Sequence, residues 1–486
     1  MPAIKILLNS VVSTPGAKFA TIDIVDFYLM HPLDRPEYVK IAANKIPQNI
    51  INRYHLHQFI DSKGFIYFKC NRTLWGLPQA GLISNKSLVK VLTNAGYVEC
   101  PHTLGLMTHK TRSTAFSLVV DDFGIKYLHQ ADLDHLESTI RNAGYDLRIN
   151  IKGDKYLGFK ITHDIIKKEI ILDNETYVKK GLNRFCPHGT PPHANSAVLC
   201  SALKFDKQGS IVEEQHDEDD FKAASQEQTK YVQEVIGYFS YYAIAQDCTL
   251  RYACNIISQQ QAHPTQHTLK QVDRMLGYIA AHPNNKLVFR ASDMQLKFQC
   301  DGSHNSQPGA KGIAAAYYYM GDKDDPMRLN GAIDVLCKVI PIVTGSAGET
   351  EYCTLFMAGQ RSCPHIATLN DLGHKQAATT AIIDNDFAFG ICNDKIKEKR
   401  SKSIDLRIHW MRDRVRQGQF NIIWKKGITN VADFFTKPQP AYKHKEFMHQ
   451  FMRVPTPTNG VVKGSPKQVA RSQAWRDQHF HRTAKQ

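Results

Sequence analysis

Three carboxylates beside apolar segments are the first residues of this sequence whose types and spacing could do chemistry. Ser117–Lys126 indicates two short apolar strands joined by the adjacent acids Asp121 and Asp122, which is a hairpin signal. The apolar segment Phe19–Ile22 runs into Asp23. Carboxylates held together repel one another and lose hydration, and divalent cations remove that cost. The pattern favours a two-Mg²⁺ site for phosphoryl transfer, although an Asp-Asp pair alone is more often a solvated turn.

The C-terminal half repeats this arrangement of acids at the ends of predicted elements. Apolar periodicity predicts three strands, a helix, a strand, a helix, a strand and a final helix between about residues 290 and 440. Asn430 is a good cap for the last helix. The acids at four of these element ends are Asp301, Glu351, Asp384 and Asp433.

Both halves resemble parts of a known family of polyproteins. Asp23–Leu29, Leu74–Gly81 and Val119–Asp122 are similar to three successive motifs of a reverse transcriptase palm, in the family's order. The C-terminal acids resemble those of RNase H. The motif sequences most resemble those of the copia-type LTR retrotransposons, whose polyprotein ends in reverse transcriptase followed by RNase H. The resemblance implies that the catalytic metal ligands are Asp23, Asp121 and Asp122 in one site, and Asp301, Glu351, Asp384 and Asp433 in the other.

The resemblance also implies roles for two other residues of the palm motifs. Tyr28 stands at the family's steric-gate position, where a ring would exclude a ribose 2′-OH, but a simple core tyrosine is an equal alternative. Gln79 resembles the residue that contacts the incoming nucleotide. The implied cofactor is Mg²⁺, two ions per active site, with Mn²⁺ as an alternative. The implied partners are an RNA template, a DNA primer, an RNA–DNA hybrid and dNTPs.

Two acids near the start of the fourth predicted element compete for one role. Glu349 and Glu351 are two positions apart, so on a helix they point about 200° apart. Only one of them can face the metal ions. Glu351 matches the family pattern, and Glu349 is expected to be solvated or to cap the helix. Asp386 and Asp405 also lie near the site in sequence, and we expect structural or supporting roles for both.

These patterns together predict an α+β and α/β multidomain chain. We expect a reverse transcriptase palm with truncated fingers at 1–170 and a mostly helical thumb and connection at 171–289. Within the latter, 213–220 is expected to be a solvated acidic loop. An RNase H-like domain follows at 290–440. The tail, 441–486, is basic and rich in proline and glycine, so it is expected to be mostly disordered.

Composition narrows the class of protein and its partners. The chain has 486 residues, of which 42% are hydrophobic and 22% charged, which indicates two to four globular domains. Its net charge of +15 points to a polyanion, with nucleic acid favoured over lipid. No apolar run is long enough for a membrane span. Eleven cysteines without a Cys-x-x-Cys pair favour a reducing compartment. We therefore expect a cytoplasmic (virus-like particle) or nuclear protein.

Other segments leave alternatives open. Lys395–Lys402 is basic and could hold a nucleic-acid backbone or be simply solvated.

The leading hypothesis is an RNA-directed DNA polymerase with RNase H activity. Weak or absent DNA synthesis is expected, because the basic fingers of the family do not precede Asp23 in this sequence. The alternatives are a nuclease with an inert polymerase half, or a domesticated or relic protein that binds nucleic acid without catalysis.

Overall fold

Two compact units make up the chain. The computed structural model describes residues 1–199, 204–205, 211–212, 218–325, 327–395 and 405–455. One unit comprises residues 16–153 and is called the inserted unit. The other, called the split unit, comprises residues 1–15 together with the described part of 154–486. The inserted unit therefore interrupts the split unit in sequence.

An antiparallel sheet forms the centre of the inserted unit. The elements are β1 (Lys18–Ile24), β2 (Pro32–Ala42), α2 (Gln48–Arg53), β3 (Phe65–Arg72), α3 (Ala80–Asn94), β4 (Tyr97–Glu99), β5 (Leu106–His109), β6 (Ala115–Val119), β7 (Asp122–Tyr127), α4 (Gln130–Asn142) and β8 (Leu147–Asn150). Six strands lie in the order β4-β5-β6-β7-β1-β8. Strands β2 and β3 form a separate two-stranded hairpin. Short 3-10 helices span Phe27–Met30, Ala43–Lys45 and Leu56–Phe59.

Apolar residues on two helices cover this sheet. Helices α3 and α4 contribute Leu88, Leu92, Leu133 and Leu136 to a core that also contains Phe123 from β7. Their spacing of three and four residues places each pair on one helix face. The core fixes the hairpin of β6 and β7, which carries the acids singled out in the sequence.

The first part of the split unit contains a small sheet and several helices. Its elements are α1 (Pro2–Ser13), β9 (Lys155–Tyr156), β10 (Phe159–Asp164), β11 (Glu169–Asp173), α5 (Glu175–Phe185), β12 (Lys204–Phe205), β13 (Ile211–Val212), α6 (Gln226–Ala245), α7 (Arg251–Gln260), α8 (Gln266–Ala281) and β14 (Leu287–Arg290). Strands lie in the order β14-β11-β10-β9, and β12 pairs with β13. Short 3-10 helices span Glu218–Phe221 and Cys248–Leu250.

The second part of the split unit is built on a five-stranded mixed sheet. Its elements are β15 (Gln295–Gln307), β16 (Lys311–Gly321), β17 (Ala332–Val343), α9 (Ala347–Asp371), β18 (Thr379–Ile383), α10 (Asp386–Cys392), α11 (Asp405–Arg416), β19 (Phe420–Trp424) and α12 (Ala441–Phe451). The strand order is β17-β16-β15-β18-β19. The first two pairings are antiparallel, and the two that involve β18 are parallel. Short 3-10 helices span Gly427–Thr429 and Val431–Phe435.

The core of this sheet draws on residues from both ends of the chain. Ile6 of α1, Phe298 of β15, Leu355 of α9 and Ile408 of α11 belong to one buried cluster. Tyr317 of β16 packs on the opposite side against Phe451 of α12, with ring centroids 5.0 Å apart. Strand β16 is buried along almost its whole length, as expected for a strand covered on both faces. The predicted mixed multidomain fold class is confirmed.

The structure divides the chain differently from the predicted domain boundaries. Residues 1–15 and 154–170 lie in the split unit, because Ile6 packs in its core and β10 pairs with β11. Residues 441–451, expected in a mostly disordered tail, form α12 and bury Met448 and Phe451. The remainder of the predicted tail, 456–486, lies outside the described residues.

Two further predicted loops are only partly described. Of the acidic segment 213–220, residues 213–217 lie outside the described residues. Asp220 is 7% exposed and pairs with Lys270 of α8, Oδ1 to Nζ, at 2.5 Å. The prediction of a solvated loop is therefore wrong at Asp220. In the basic segment 395–402, every residue after Lys395 lies outside the described residues.

Candidate active sites

Asp301 lies within β15, two residues beyond the part of that strand that pairs with β18. Strand β15 pairs with β16 and with β18, and it continues to Gln307 instead of ending at the acid. The Asp301 Oδ2 atom accepts a hydrogen bond of 2.6 Å from the Thr436 hydroxyl. Burial raises the pKa of Asp301 to about 6, against the lowering effect of that hydrogen bond. The carboxyl group is therefore held in one orientation and is hard to ionise alone.

Glu351 enters the site from the second turn of α9. Ser346 caps this helix, its hydroxyl oxygen accepting a hydrogen bond of 3.2 Å from the Glu349 backbone N–H. Glu349 turns back to the helix start, where its Oε2 atom accepts a hydrogen bond of 2.8 Å from the Gly345 N–H. The Glu351 carboxylate instead lies beside Asp301. The structure thus places Glu351 in the acid group, whereas Glu349 lies at the start of α9 and accepts a hydrogen bond there.

Asp384 directly follows β18, which runs parallel to β15. The indole N–H of Trp424 donates a hydrogen bond of 3.0 Å to the backbone oxygen of Asp384. A Cβ atom on Gly427 would lie 2.6 Å from the Asp384 Oδ2 atom. A side chain at position 427 would therefore displace the carboxylate, which explains a glycine there.

These three carboxylates form one compact group. Asp301, Glu351 and Asp384 each offer an oxygen, and the three oxygens lie within 4.8 Å of one another. Across the described ranges, no other three His, Cys, Asp or Glu residues meet this criterion. Burial, and then the charges of Asp301 and Asp384, raise the pKa of Glu351 well above its ordinary value. Burial likewise raises the pKa of Asp384.

The donor set fits a divalent cation. The Glu351 Oε2 atom is buried and has no hydrogen-bond partner in the protein, although buried polar atoms are normally satisfied. All the donors are carboxylate oxygens, which suit Mg²⁺ and Mn²⁺. A cation would also remove the mutual repulsion of the three acids.

Asp433, the fourth predicted ligand, lies outside that group of three. Its carboxylate is paired with the Lys437 ammonium, four residues later. The Gln439 side-chain amide donates to the backbone oxygen of Asp433 at 3.0 Å and to its Oδ2 atom at 3.3 Å. The charge of Asp433 still acts on Asp301, whose pKa it helps to raise after burial. The structure therefore places Asp433 at the edge of the site, bound to a lysine.

Two acids of the inserted unit lie on adjacent strands, and a third lies in the adjoining turn. Asp23 of β1 lies directly opposite Asp122 of β7 in the antiparallel ladder, and Asp121 is in the turn before β7. Val120 adopts a left-handed conformation with a φ of 62°, which closes that turn. Burial, followed by the charges of Asp121 and Asp23, raises the pKa of Asp122 to about 6. Burial also raises the pKa of Asp121. The Arg148 Nη1 atom lies 3.7 Å from the Asp23 Oδ2 atom.

The two predicted nucleotide contacts lie in the same unit. Tyr28 is half-buried, and its ring packs edge-on against Trp75 with centroids 6.4 Å apart. Gln79 precedes the first residue of α3, and its Nε2 atom donates a hydrogen bond of 3.1 Å to the Glu37 carboxylate. Both roles stay predictions.

Sequence reasoning missed the residues that support the buried acids. Thr436, Lys437 and Gln439 contact Asp301 or Asp433, and Gly427 makes room for Asp384. The signal was partly present, because Lys437 has an i,i+4 spacing to Asp433. The contact between Thr436 and Asp301 spans 135 residues and has no local signature.

Comparison with known sequences identifies relatives among transposon polyproteins. No family model matches the chain. It is 22% identical over 389 residues to the Retrovirus-related Pol polyprotein from transposon TNT 1-94 of Nicotiana tabacum, covering 79% of this chain and 28% of the relative. It is 25% identical over 214 residues to the Retrovirus-related Pol polyprotein from transposon RE1 of Arabidopsis thaliana, covering 42% and 14% respectively. The chain thus spans less than a third of the length of these relatives.

Comparison with solved structures gives two kinds of neighbour. A foamy viral protease-reverse transcriptase in complex with an RNA/DNA hybrid aligns with 89% of this chain and 47% of its own, at 12% identity and a TM-score of 0.43. The N-terminal RNase H domain of rv2228c from Mycobacterium tuberculosis aligns with 32% of this chain and 97% of its own, at 15% identity and a TM-score of 0.22.

Among the described helices, none is both long enough and apolar enough to cross a membrane. The predicted resemblance to the Pol polyproteins of copia-type transposons is confirmed by the sequence relatives.

Proposed function

We propose that this relative of transposon Pol polyproteins is a two-site phosphoryl-transfer enzyme: a ribonuclease H in the split unit and an RNA-directed DNA polymerase in the inserted unit. The observation that carries the proposal is the group of Asp301, Glu351 and Asp384, whose carboxylate oxygens lie within 4.8 Å of one another. Three acids from separate parts of the fold, one buried and two half-buried, are costly to bring together unless cations join them. The proposed substrate of the split unit is the RNA strand of an RNA–DNA hybrid.

The residues around the acids prepare them for this chemistry. The Thr436 hydroxyl fixes Asp301, and Gly427 lets the backbone approach Asp384. Mg²⁺ or Mn²⁺, when bound by these acids, would supply the charge that activates a water and stabilises the departing 3′-oxygen of the RNA. Because the chemistry concerns the sugar-phosphate backbone, little base specificity is expected.

The proposed polymerase site lies where β1 and β7 pair in the inserted unit. Asp23 lies opposite Asp122, with Asp121 in the adjoining turn. Burial and mutual charge raise the pKa of Asp122 to about 6, which is the signature of acids that a cation would stabilise. A primer 3′-hydroxyl and a dNTP are the proposed reactants, with RNA as template. Tyr28 and Gln79 are proposed to contact the nucleotide.

The test of the ribonuclease proposal uses the full 486-residue chain. Ile6 and Phe451 pack in or beside the RNase H-like sheet, so residues 290–440 alone would lose part of that packing. We expect Mg²⁺-dependent cleavage of labelled RNA in an RNA–DNA hybrid. Asp384→Asn should lower it by on the order of 10²–10³. Asp386→Asn is the matched control, since Asp386 is an exposed acid two residues away.

Two outcomes would contradict this proposal. One is a folded wild-type chain that binds the hybrid without cutting it, which would favour the domesticated or relic binding protein. The other is equal cleavage by Asp384→Asn and the wild type, which would place the activity elsewhere.

A further inference from the structure

Lys437 is a cation at the edge of the acidic centre of the split unit. Its ammonium contacts the Asp433 Oδ1 atom. Burial raises the pKa of Asp301, Glu351 and Asp384, and the Lys437 charge opposes the rise in each case. The lysine pairs directly with Asp433, and its sequence neighbour Thr436 donates a hydrogen bond to Asp301.

The backbone around Lys437 is fixed on both sides. Thr436 is fully buried, and its hydroxyl donates to Asp301 at 2.6 Å. Gln439 is 3% exposed, and its amide donates to Asp433. The Lys437 side chain itself is 55% exposed. The stem is therefore held at the site, while the charged end is free to leave Asp433 for solvent.

We propose that Lys437 is an internal counter-cation that occupies Asp433 in the metal-free protein and competes with the divalent metal for it. This inference rests on the proposed function, because it takes the acids to be metal ligands. It explains why Asp433 lies outside the compact group of Asp301, Glu351 and Asp384. Asp433 joins the site only when a metal ion displaces the ammonium.

The direction of the effect follows from charge. A divalent ion approaching the acids meets one positive charge, and it must also break the pair of Asp433 and Lys437. Removing the lysine charge removes both obstacles. Because the Lys437 ammonium is largely exposed, a dielectric constant near that of water applies to its interactions. At that dielectric constant, one unit charge a few ångströms from a divalent ion changes the affinity of the site for the ion by about tenfold.

The experiment measures metal binding without turnover. MnCl₂ is titrated into the full chain by calorimetry in the absence of nucleic acid, and the melting temperature is followed in parallel. Lys437→Met, which keeps most of the aliphatic stem, should bind Mn²⁺ about tenfold more tightly than the wild type. The control is Lys443→Met, an exposed lysine of α12, which should bind like the wild type. The double variant Asp433→Asn/Lys437→Met should lose the gain, since Asp433 is then no longer a ligand.

Each remaining outcome is decisive. Equal Mn²⁺ affinity of wild type and Lys437→Met would overturn this inference and leave the proposed function intact. A gain that persists in the double variant would also overturn it, because the lysine would then act through general charge without masking Asp433. If neither the wild type nor Lys437→Met binds Mn²⁺, the metal site itself fails, and the inference fails with it.

Discussion

The acid groups of the two units differ in how they are held. In the inserted unit, the Asp23 side chain is 40% exposed and faces Arg148 across 3.7 Å. In the split unit, Asp301 is 7% exposed and is fixed by the buried hydroxyl of Thr436. The first group lies on two adjacent strands and the turn between β6 and β7, whereas the second gathers one acid from a strand, one from a helix and one that directly follows another strand.

The difference shows what each kind of site demands of the rest of the chain. A ladder of two strands brings Asp23 and Asp122 together through backbone pairing alone. The buried group needs a capped helix for Glu351, a glycine beside Asp384 and a threonine beside Asp301. The buried site should therefore be the more sensitive to distant substitutions.

The largest expected effect separates the two sites. Asp384→Asn should lower hybrid cleavage by on the order of 10²–10³, while Asp122→Asn should leave cleavage within about twofold, because residues in different cores rarely couple. Primer extension on an RNA template should respond in the opposite way, at whatever level the wild type shows. Both reactions are followed on labelled nucleic acid with one preparation of each variant. Loss of cleavage in Asp122→Asn would mean that the sites are not independent.

The next effect concerns the first helix. Ile6 is fully buried in the core of the split unit, so Ile6→Ala should lower the free energy of unfolding of that unit by about 3 kcal/mol. Ile22→Ala is the matched substitution in the core of the inserted unit. Hydrogen exchange followed by mass spectrometry resolves the two units. If Ile6→Ala instead exposed amides of residues 16–153 and spared the five-stranded sheet, the assignment of α1 would be incorrect.

Acid pH should weaken the split unit through His444. This residue is 3% exposed, and burial, followed by the charges of His282 and Arg274, lowers its pKa to about 3. Because the pKa of His444 is lower in the folded state than the unfolded-state value of about 6.5, the neutral ring favours folding at pH values above about 6.5. That stability is lost as the pH falls toward the folded-state pKa. Between pH 7 and pH 5 the loss is about 2 kcal/mol.

His444→Phe isolates this contribution. The phenyl ring retains the aromatic packing against Tyr278, whose ring centroid is 4.8 Å from that of His444, and it cannot be protonated. The free energy of unfolding, measured by chemical denaturation, should fall between pH 7 and pH 5 by about 2 kcal/mol less in His444→Phe than in the wild type. His409→Phe, at an exposed site of α11, should keep the wild-type pH dependence. An unchanged dependence in His444→Phe would show that other groups govern acid unfolding.

The smallest effect compares two helix starts. Ser346 caps α9 through its side chain, so Ser346→Ala should cost about 1 kcal/mol. Gln79 precedes α3 without a side-chain cap, and Gln79→Ala should change stability by only a few tenths of a kcal/mol. Denaturation midpoints measure both. A cost for Gln79→Ala as large as that for Ser346→Ala would give Gln79 a structural role in place of the predicted nucleotide contact.

Local patterns predicted much of the fold and of the acid positions. The predicted order of three strands, a helix and a further strand after residue 290 matches β15, β16, β17, α9 and β18. The choice of Glu351 over Glu349 followed from helix geometry and the family pattern. These features depend on neighbours within about one or two turns, where side-chain direction follows the sequence directly.

Other features depend on distant parts of the chain. The apolar face of α1 looks the same from the sequence whichever core it joins, and only the structure shows Ile6 among residues of the five-stranded sheet. The proline-rich, basic composition of the tail concealed α12, whose Phe451 packs against Tyr317. Asp433 was predicted as a ligand from its motif, but the pairing with Lys437 depends on the fold of a short 3-10 segment.

The interruption of the split unit by the inserted unit sets an order of events during synthesis. Helix α1 is made before the inserted unit, but β15, which shares its core, begins about 280 residues later. At 5–20 residues per second the ribosome needs roughly 15–60 s to reach it. The inserted unit is complete within that interval and has its own core. The part of the apolar face of α1 that packs with the five-stranded sheet, which includes Ile6, lacks that native partner until then. Nascent chains therefore need protection from aggregation at α1.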